Sequence, residues 1–536
     1  MSQLVGTRLL LGLALRLDRV RLPIWLGSIS GMMALQVAGI VAMYPSEEEM
    51  ASYAAVTASS AAARMFGAID GPTLGSVLMV EMWAIQSVLA SLMGIFLVVR
   101  HTRLSEQEGR LELVGSTPVG RHASLVAALV LALGAYLVLG ALLLGVMVGM
   151  GVPAAGSALM VAGIVGSGMV FAAAAAVVAQ VTASARIASG GAVMLLGAAF
   201  VVRAIGDVRG QLDAAGMAIR IDWPSWLGPL GWGQLAYPFS EQRAWALLPY
   251  PLVVSLLVAV AITLSARRDV GQGMLGHRHR PTRAGRLLSS PLGLAVRLHR
   301  GQVLGWGVGI ALLGSFIGSF AGELGVLLEE NPALMEVVAA MGGSDVMEDA
   351  YYAYMIGFVG LLTGAMALQV VLRMRSEELG PLESVLATAA SRTTWLASHV
   401  MVAVAATAAV LVLASLGTSV AAILVGEPAR WGDLLAAHLV QLPAVLVLVG
   451  AAVAAFGVGS RYGPLAGWSL LALSALVFIG EMLQLPDALL QASPFTHLPL
   501  LPAEDLAWGP VLALAGIGAS GLAAGAAAFR RRNVGA

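Results

Sequence analysis

Ser105-Glu106-Gln107-Glu108-Gly109-Arg110-Leu111-Glu112-Leu113-Val114-Gly115-Ser116-Thr117-Pro118-Val119-Gly120-Arg121 returns later in the chain with unchanged spacing, as Ser376, Glu377, Gly380, Leu382, Glu383, Val385, Thr388 and Arg392. The surrounding sequence is 59% apolar and only 11% charged, with a mean hydropathy of +0.87. Apolar runs of about 20 residues, the length that crosses a bilayer as a helix, recur from end to end. Lipid chemistry does not dictate a polar segment in such a chain, so its duplication marks two equivalent sites.

Working outward from the two copies, apolar runs fall at 22–44, 76–99, 122–149, 156–180, 187–206, 246–266, 303–322, 352–372, 394–425, 432–458, 463–480 and 506–528. That is an all-α polytopic membrane protein of twelve spans. Two further echoes set the halves in parallel register. Leu11–Arg19 resembles Leu292–Arg300, with Trp25 and Trp306 behind it, and Arg267-Arg268-Asp269-Val270-Gly271 resembles Arg531-Arg532-Asn533-Val534-Gly535. The expected organisation is a six-span half at 1–268, an arginine-rich linker at 269–291 and a second six-span half at 292–536. Each half opens with an amphipathic elbow helix lying in the interface. Residues 1–21 superficially suggest a signal peptide, but no small-residue cleavage site follows.

All 30 basic residues are arginine, and there is no cysteine. Without lysine the chain has no Walker A loop and forms no Schiff base, and without cysteine it has no thiolate metal site or nucleophile. The formal net charge of zero hides an asymmetry. With the N-terminus inside, 24 of the 30 arginines fall on inside segments, whereas Glu47, Glu48, Glu49, Glu329, Glu330, Glu348 and Asp349 fall outside. The positive-inside rule therefore favours both termini in the cytoplasm. The linker, with Arg278, Arg280, Arg283 and Arg286, reads as a tether against anionic lipid or as a docking segment. The long segments before spans two and eight, and the Pro/Trp-rich ones before spans six and twelve, suggest an external cap.

Segment 104–116 is expected to form a short helix. Leu104, Leu111 and Val114 share one face, Glu106 and Arg110 form an i, i+4 pair, and Glu106, Glu108 and Glu112 point into the cytosol. Gly109 and Gly380 allow a tight bend, Thr117-Pro118 ends the helix, and Arg121 anchors the start of span three. Pro381 stands where the first copy has Arg110. Two readings stand side by side: helices floating on lipid, or docking sites for a partner with a basic groove.

The order of elbow, span, external segment, span and E-x-x-G-R-x-E-L loop resembles permeases of ABC-2 type exporters. Within these it is most similar to the fused twelve-span branch of polyketide-antibiotic or tetronasin-type exporters, which includes mycobacterial multidrug efflux permeases. The resemblance spans the full length, and Glu106 to Arg121 is its most specific part. It implies that each loop is a coupling helix seated in a separate ATPase, two copies of which bind ATP and magnesium and serve one permease chain. The coupling positions would be Glu106, Gly109, Arg110, Glu112 and Arg121, then Glu377, Gly380, Glu383 and Arg392. It further implies export of hydrophobic or amphipathic compounds across a bacterial cytoplasmic membrane, with no cofactor in this chain.

Glu81 and Arg203 lie at matching depths near the outer ends of spans two and five. They are expected to meet near an external gate, or else to snorkel outward separately. His438, Gln441 and Pro443 in span ten and His399 in span nine lack metal-site spacing. No catalytic triad or phosphate loop is present, and nothing points to nucleic acid. The rival reading is a proton-coupled facilitator, whose L-[AS]-D-R-x-G-R loop Leu104-Ser105-Glu106 through Arg110 partly matches. Against it stand Glu106-Gln107 in place of Asp-Arg, the longer loop and the elbow before span seven. A lipid-modifying enzyme would need clustered carboxylates or histidines at one interface, which the sequence lacks.

Overall fold

The computed structural model describes residues 3–109, 119–268, 273–274, 285, 288, 290–329, 344–380, 382–388, 390–478 and 486–532. Among the described residues eleven helices are long and apolar enough to cross a membrane, and a shorter apolar helix stands at the expected position of a twelfth. The chain is an all-α polytopic membrane protein. It divides into two compact units, Met1–Arg280 and Pro281–Ala536.

The first unit starts with an amphipathic helix, α1 (Thr7–Leu17), whose Leu9 and Leu13 are exposed while Ala14 is buried. Residues 18–20 turn into α2 (Arg21–Met43). Pro23 lies in the first turn of α2, where a missing N–H costs nothing, and it forbids a helix running through from α1. After α2 comes α3 (Glu47–Ser59), opened by a capping box between Ser46 and Glu49. The remaining spans are α4 (Leu74–Val99), α5 (Ala123–Gly149), α6 (Ala154–Val181), α7 (Ala185–Val208) and α8 (Pro249–Arg267). Of these, α4 and α6 are the most deeply buried. Trp83 of α4 donates to the Leu230 carbonyl in the segment before α8 at 3.0 Å, and Tyr136 of α5 donates to the Ala90 carbonyl of α4 at 2.8 Å.

The second unit contains α9 (Pro291–Glu329), α10 (Ser344–Val371), the short α11 (Arg373–Glu378) and α12 (Leu382–Leu386), and α13 (Arg392–Leu424). It continues with α14 (Trp431–Leu439), α15 (Leu442–Val458), α16 (Tyr462–Phe478) and α17 (Trp508–Arg531). Here α10 and the combined α14–α15 are the best buried, so spans two and four are central in both halves. One expectation is corrected. The second elbow is no separate helix, because residues 291–329 run as one rod. Leu304 stands where the first half has Pro23, so nothing interrupts the backbone hydrogen bonds. Span ten is divided at Val440–Gln441, ahead of Pro443 in the first turn of α15.

At the end of the first unit away from its arginine-rich loops, α3 and a two-strand hairpin (β1 Gln211–Leu212, β2 Ile219–Arg220) form a cap. The hairpin is pinned by Ile219 N–H donating to the Ile69 carbonyl at 2.8 Å. Ala54, Ala58, Ile69, Val80 and Ile219 form its small core.

Helices α15 and α17 approach until only glycine fits. A Cβ on Gly518 would lie 2.7–2.9 Å from Leu446, and one on Gly450 would lie 2.6 Å from the Gly518 carbonyl oxygen. Small residues at such crossings let dispersion do what hydrophobicity cannot do within lipid. Gly518→Leu is therefore expected to lower the thermal unfolding midpoint of the purified protein by several degrees. Gly516→Leu, where a Cβ meets nothing within 4 Å, should leave it unchanged. Equal midpoints would refute this packing.

Candidate functional site

The first duplicated loop begins where α4 runs into a wide π-turn at Arg100–Leu104 and a last helical turn at Ser105–Gln107. Gly109 ends it with φ of +72°, the left-handed conformation that glycine adopts without strain. Glu106 is held on two sides. Arg103 Nη1 donates to its carboxylate at 2.7 Å, and Arg268 Nη1 at 2.9 Å. Its side chain is only 7% exposed. Arg103 also donates to the Ala179 carbonyl at the end of α6, and Arg268 to Gln180 at 2.7 Å. Arg121, just before α5, donates to the carbonyls of Ser265 at 3.2 Å and Arg268 at 2.8 Å. These are orphan acceptors at the C-terminal end of α8, where a cation is favoured. Asp18, at the elbow turn, is buried between Arg100, 3.2 Å away, and His101. Elbow, loop and the ends of α4, α6 and α8 are thus one ionic clasp.

The second half repeats part of it. Arg392 Nη1 donates to the Arg532 carbonyl at 2.7 Å, just as Arg121 does to Arg268. Arg532 donates to Glu378 at 2.6 Å, one residue past the position matching Glu106. Glu377 instead accepts from Trp395 at 3.1 Å and from Arg373 at 3.4 Å, and contacts His399 at 3.2 Å. His399 in turn meets His299, the residue in register with Asp18, at 3.3 Å.

Several expectations change. Glu106 does not face the solvent. A carboxylate so close to two guanidiniums gains more from pairing than from hydration, and Arg268, distant in sequence, supplies the second one. Glu377 is likewise buried. Glu383, Gly380 and Leu379 are exposed, Leu379 by 75%. Arg110, Glu112 and Pro381 lie outside the described residues. His438 donates to the Leu434 carbonyl in its own helix at 2.8 Å. Among the described residues no cluster of three metal-ligating side chains occurs.

Glu81 and Arg203 do not meet. Arg203 pairs with Asp207, one turn along α7, at 2.9 Å, with both side chains fully buried. It also donates to the carbonyls of Phe66, at 2.9 Å, and Met65. Glu81 instead accepts from Tyr53 of α3, whose ring packs at a tilt against Tyr44, 5.0 Å between centroids. The i, i+4 spacing of Arg203 and Asp207 neutralises the arginine locally, so no partner from α4 is required. Burial and the Glu81 charge hold the Tyr53 hydroxyl above the ordinary tyrosine range, so it stays a donor.

Two halves in parallel register, each clasping a loop to the ends of its spans, define a multi-pass transport permease. A family model described as "Multidrug efflux system permease Rv1217c, C-terminal domain" matches residues 288–530. The "Multidrug efflux system permease protein Rv1217c" of Mycobacterium tuberculosis (strain ATCC 25618 / H37Rv) is 37% identical, over 99% of this chain and 96% of its own length. The chain belongs to this family of multidrug efflux permeases. The resemblance to ABC exporter permeases therefore holds, and the facilitator alternative is not favoured.

Removing one partner of a buried ion pair costs about 3–5 kcal/mol, because the other charge stays buried. Asp207→Asn should destabilise the first half by roughly that amount, read as loss of protection of residues 63–70 in hydrogen exchange. Arg268→Gln should open residues 103–109 to exchange and leave 373–388 unchanged. Uniform loosening of both loops would contradict the separate clasps.

Proposed function

We propose that this chain is the membrane permease of an ATP-driven exporter and that its two loops receive the stroke of a separate ATPase, one ATPase copy at each loop. ATP and magnesium are bound by that partner, because a lysine-free chain offers no Walker A loop. Both termini and both loops face the cytoplasm, and cargo leaves through the cytoplasmic membrane of a bacterium. The cargo is hydrophobic or amphipathic, in keeping with spans built from alanine, leucine and valine, and membrane lipid is the other standing partner.

The observation that carries this reading is the duplicated bond from Arg121 and Arg392 to the last carbonyls of α8 and α17. A push on either loop reaches span ends through a short, oriented bond rather than through slack chain. In this reading Glu106 and Arg121, and Glu377 and Arg392, are the inner side of the coupling site. Gly109, Arg110 and Glu112 in the first loop, and Gly380 and Glu383 in the second, present themselves to the ATPase. Glu81 stands on the route near its outer end. Arg203 governs it indirectly by holding Met65 and Phe66, which follow the helix carrying Tyr53.

Cells expressing the permease with its ATPase should lose export of a hydrophobic dye when ATP is depleted and keep it when only the proton gradient is collapsed. The reverse pattern would end this reading. Arg121→Ala and Arg392→Ala should each lower cargo-stimulated ATP hydrolysis at least severalfold while the complex still assembles. Glu112→Ala and Glu383→Ala should weaken assembly itself.

A further inference from the structure

An open-sided groove of about 560 Å³ runs between α9 and α13 in the second half. Val296, Val303 and Leu304 of α9 and Met401 and Ala405 of α13 give it an apolar lining, and His299 and Arg300 are its polar members. Val296, Leu304 and Met401 are 41%, 67% and 55% exposed, apolar side chains left uncovered on membrane-spanning helices of this unit. Its depth follows from length. The spanning part of α9, Pro291–Ala321, has 31 residues and is about 46 Å long at 1.5 Å per residue, against a hydrocarbon core of about 30 Å. The first turns, with Arg297 and Arg300, therefore sit at head-group level while the groove descends among the acyl chains.

His299 supplies an independent sign. It is fully buried, yet its Nδ1 has no hydrogen-bond partner among the described residues. Gln302, one turn on, gives its amide nitrogen to Gln369 at 3.1 Å. With Glu377 ionised and His399 neutral, His399 donates to the carboxylate through Nε2 and accepts from His299 Nε2–H through Nδ1. His299 Nδ1 is then left as a lone pair seeking a donor. Beside it Arg300 is exposed and lines the same groove, and a guanidinium favours phosphate.

We infer that this groove is a binding site for an anionic phospholipid bearing a head-group hydroxyl. The phosphate lies on Arg300, the hydroxyl donates to His299 Nδ1, and an acyl chain follows Val303 and Ala405 into the membrane. The first half cannot offer the same site. Asp18 stands in register with His299, an anion already taken by Arg100 and His101, and the chain turns away at residues 18–20.

Native mass spectrometry of the full-length permease in detergent, titrated with palmitoyl-oleoyl phosphatidylglycerol, phosphatidate and phosphatidylcholine, tests this. One phosphatidylglycerol should bind about tenfold more tightly than phosphatidylcholine, and more tightly than phosphatidate. Arg300→Gln should erase most of that preference, Met401→Trp should fill the groove and abolish binding, and Arg297→Gln should change nothing. Arg300 is exposed, so its variant reports even if Met401→Trp does not fold. Equal binding of phosphatidylglycerol and phosphatidylcholine would make the groove a seat for apolar matter such as cargo and overturn the proposal. So would equality with phosphatidate, or wild-type affinity in Arg300→Gln.

Discussion

Everything at the arginine-rich end of each half depends on one requirement: the last carbonyls of a membrane-spanning helix need donors where the helix can no longer supply them. Arg121 and Arg392 meet it for α8 and α17. Because the arginine stands at the exit of the duplicated loop, satisfying the helix end also fixes the loop. The side chain of the residue whose carbonyl is capped, Arg268 or Arg532, then turns back onto the loop's carboxylates. Two bonds in opposite directions make a closed clasp.

The cap at the far end of the first half follows similar logic with a buried pair. Arg203 and Asp207 neutralise one another within a single helix, and the arginine's remaining donors hold the backbone at Met65 and Phe66. A guanidinium has five donors in a fixed fork, so one charge can be neutralised and two carbonyls bound together. Tyr53 and Glu81 then meet across the cap edge. Charges that look alike in depth along the sequence thus serve different tasks.

Much of the fold is legible in the sequence, because bilayer thickness imposes a length on every apolar run and duplication repeats the punctuation. Pro23 against Leu304 is a local signal strong enough to distinguish a bent elbow from a continuous rod. Arg203 and Asp207 are equally local, at i, i+4, and depth matching alone passes over them. The fate of Glu106 is not local. Its second partner, Arg268, lies at the far end of the half, and the repeated Arg-Arg pair after spans six and twelve reads as an end marker until α8 is placed beside the loop. The same holds for His299 and His399, which separate helices bring to 3.3 Å.

The second half keeps the arginine-to-carbonyl bond yet moves the returning arginine from the first acid of the loop to the next, Glu378, and leaves Glu377 to Arg373 of its own helix, a tryptophan and a histidine. A backbone carbonyl exists whatever residue occupies the position, so this half of the clasp is immune to side-chain drift at the helix end. After a gene duplication, selection can therefore rewrite the acids and their partners in one copy while the bond from loop to helix end survives. A chain that has joined its two halves into one polypeptide is free to let them become unequal.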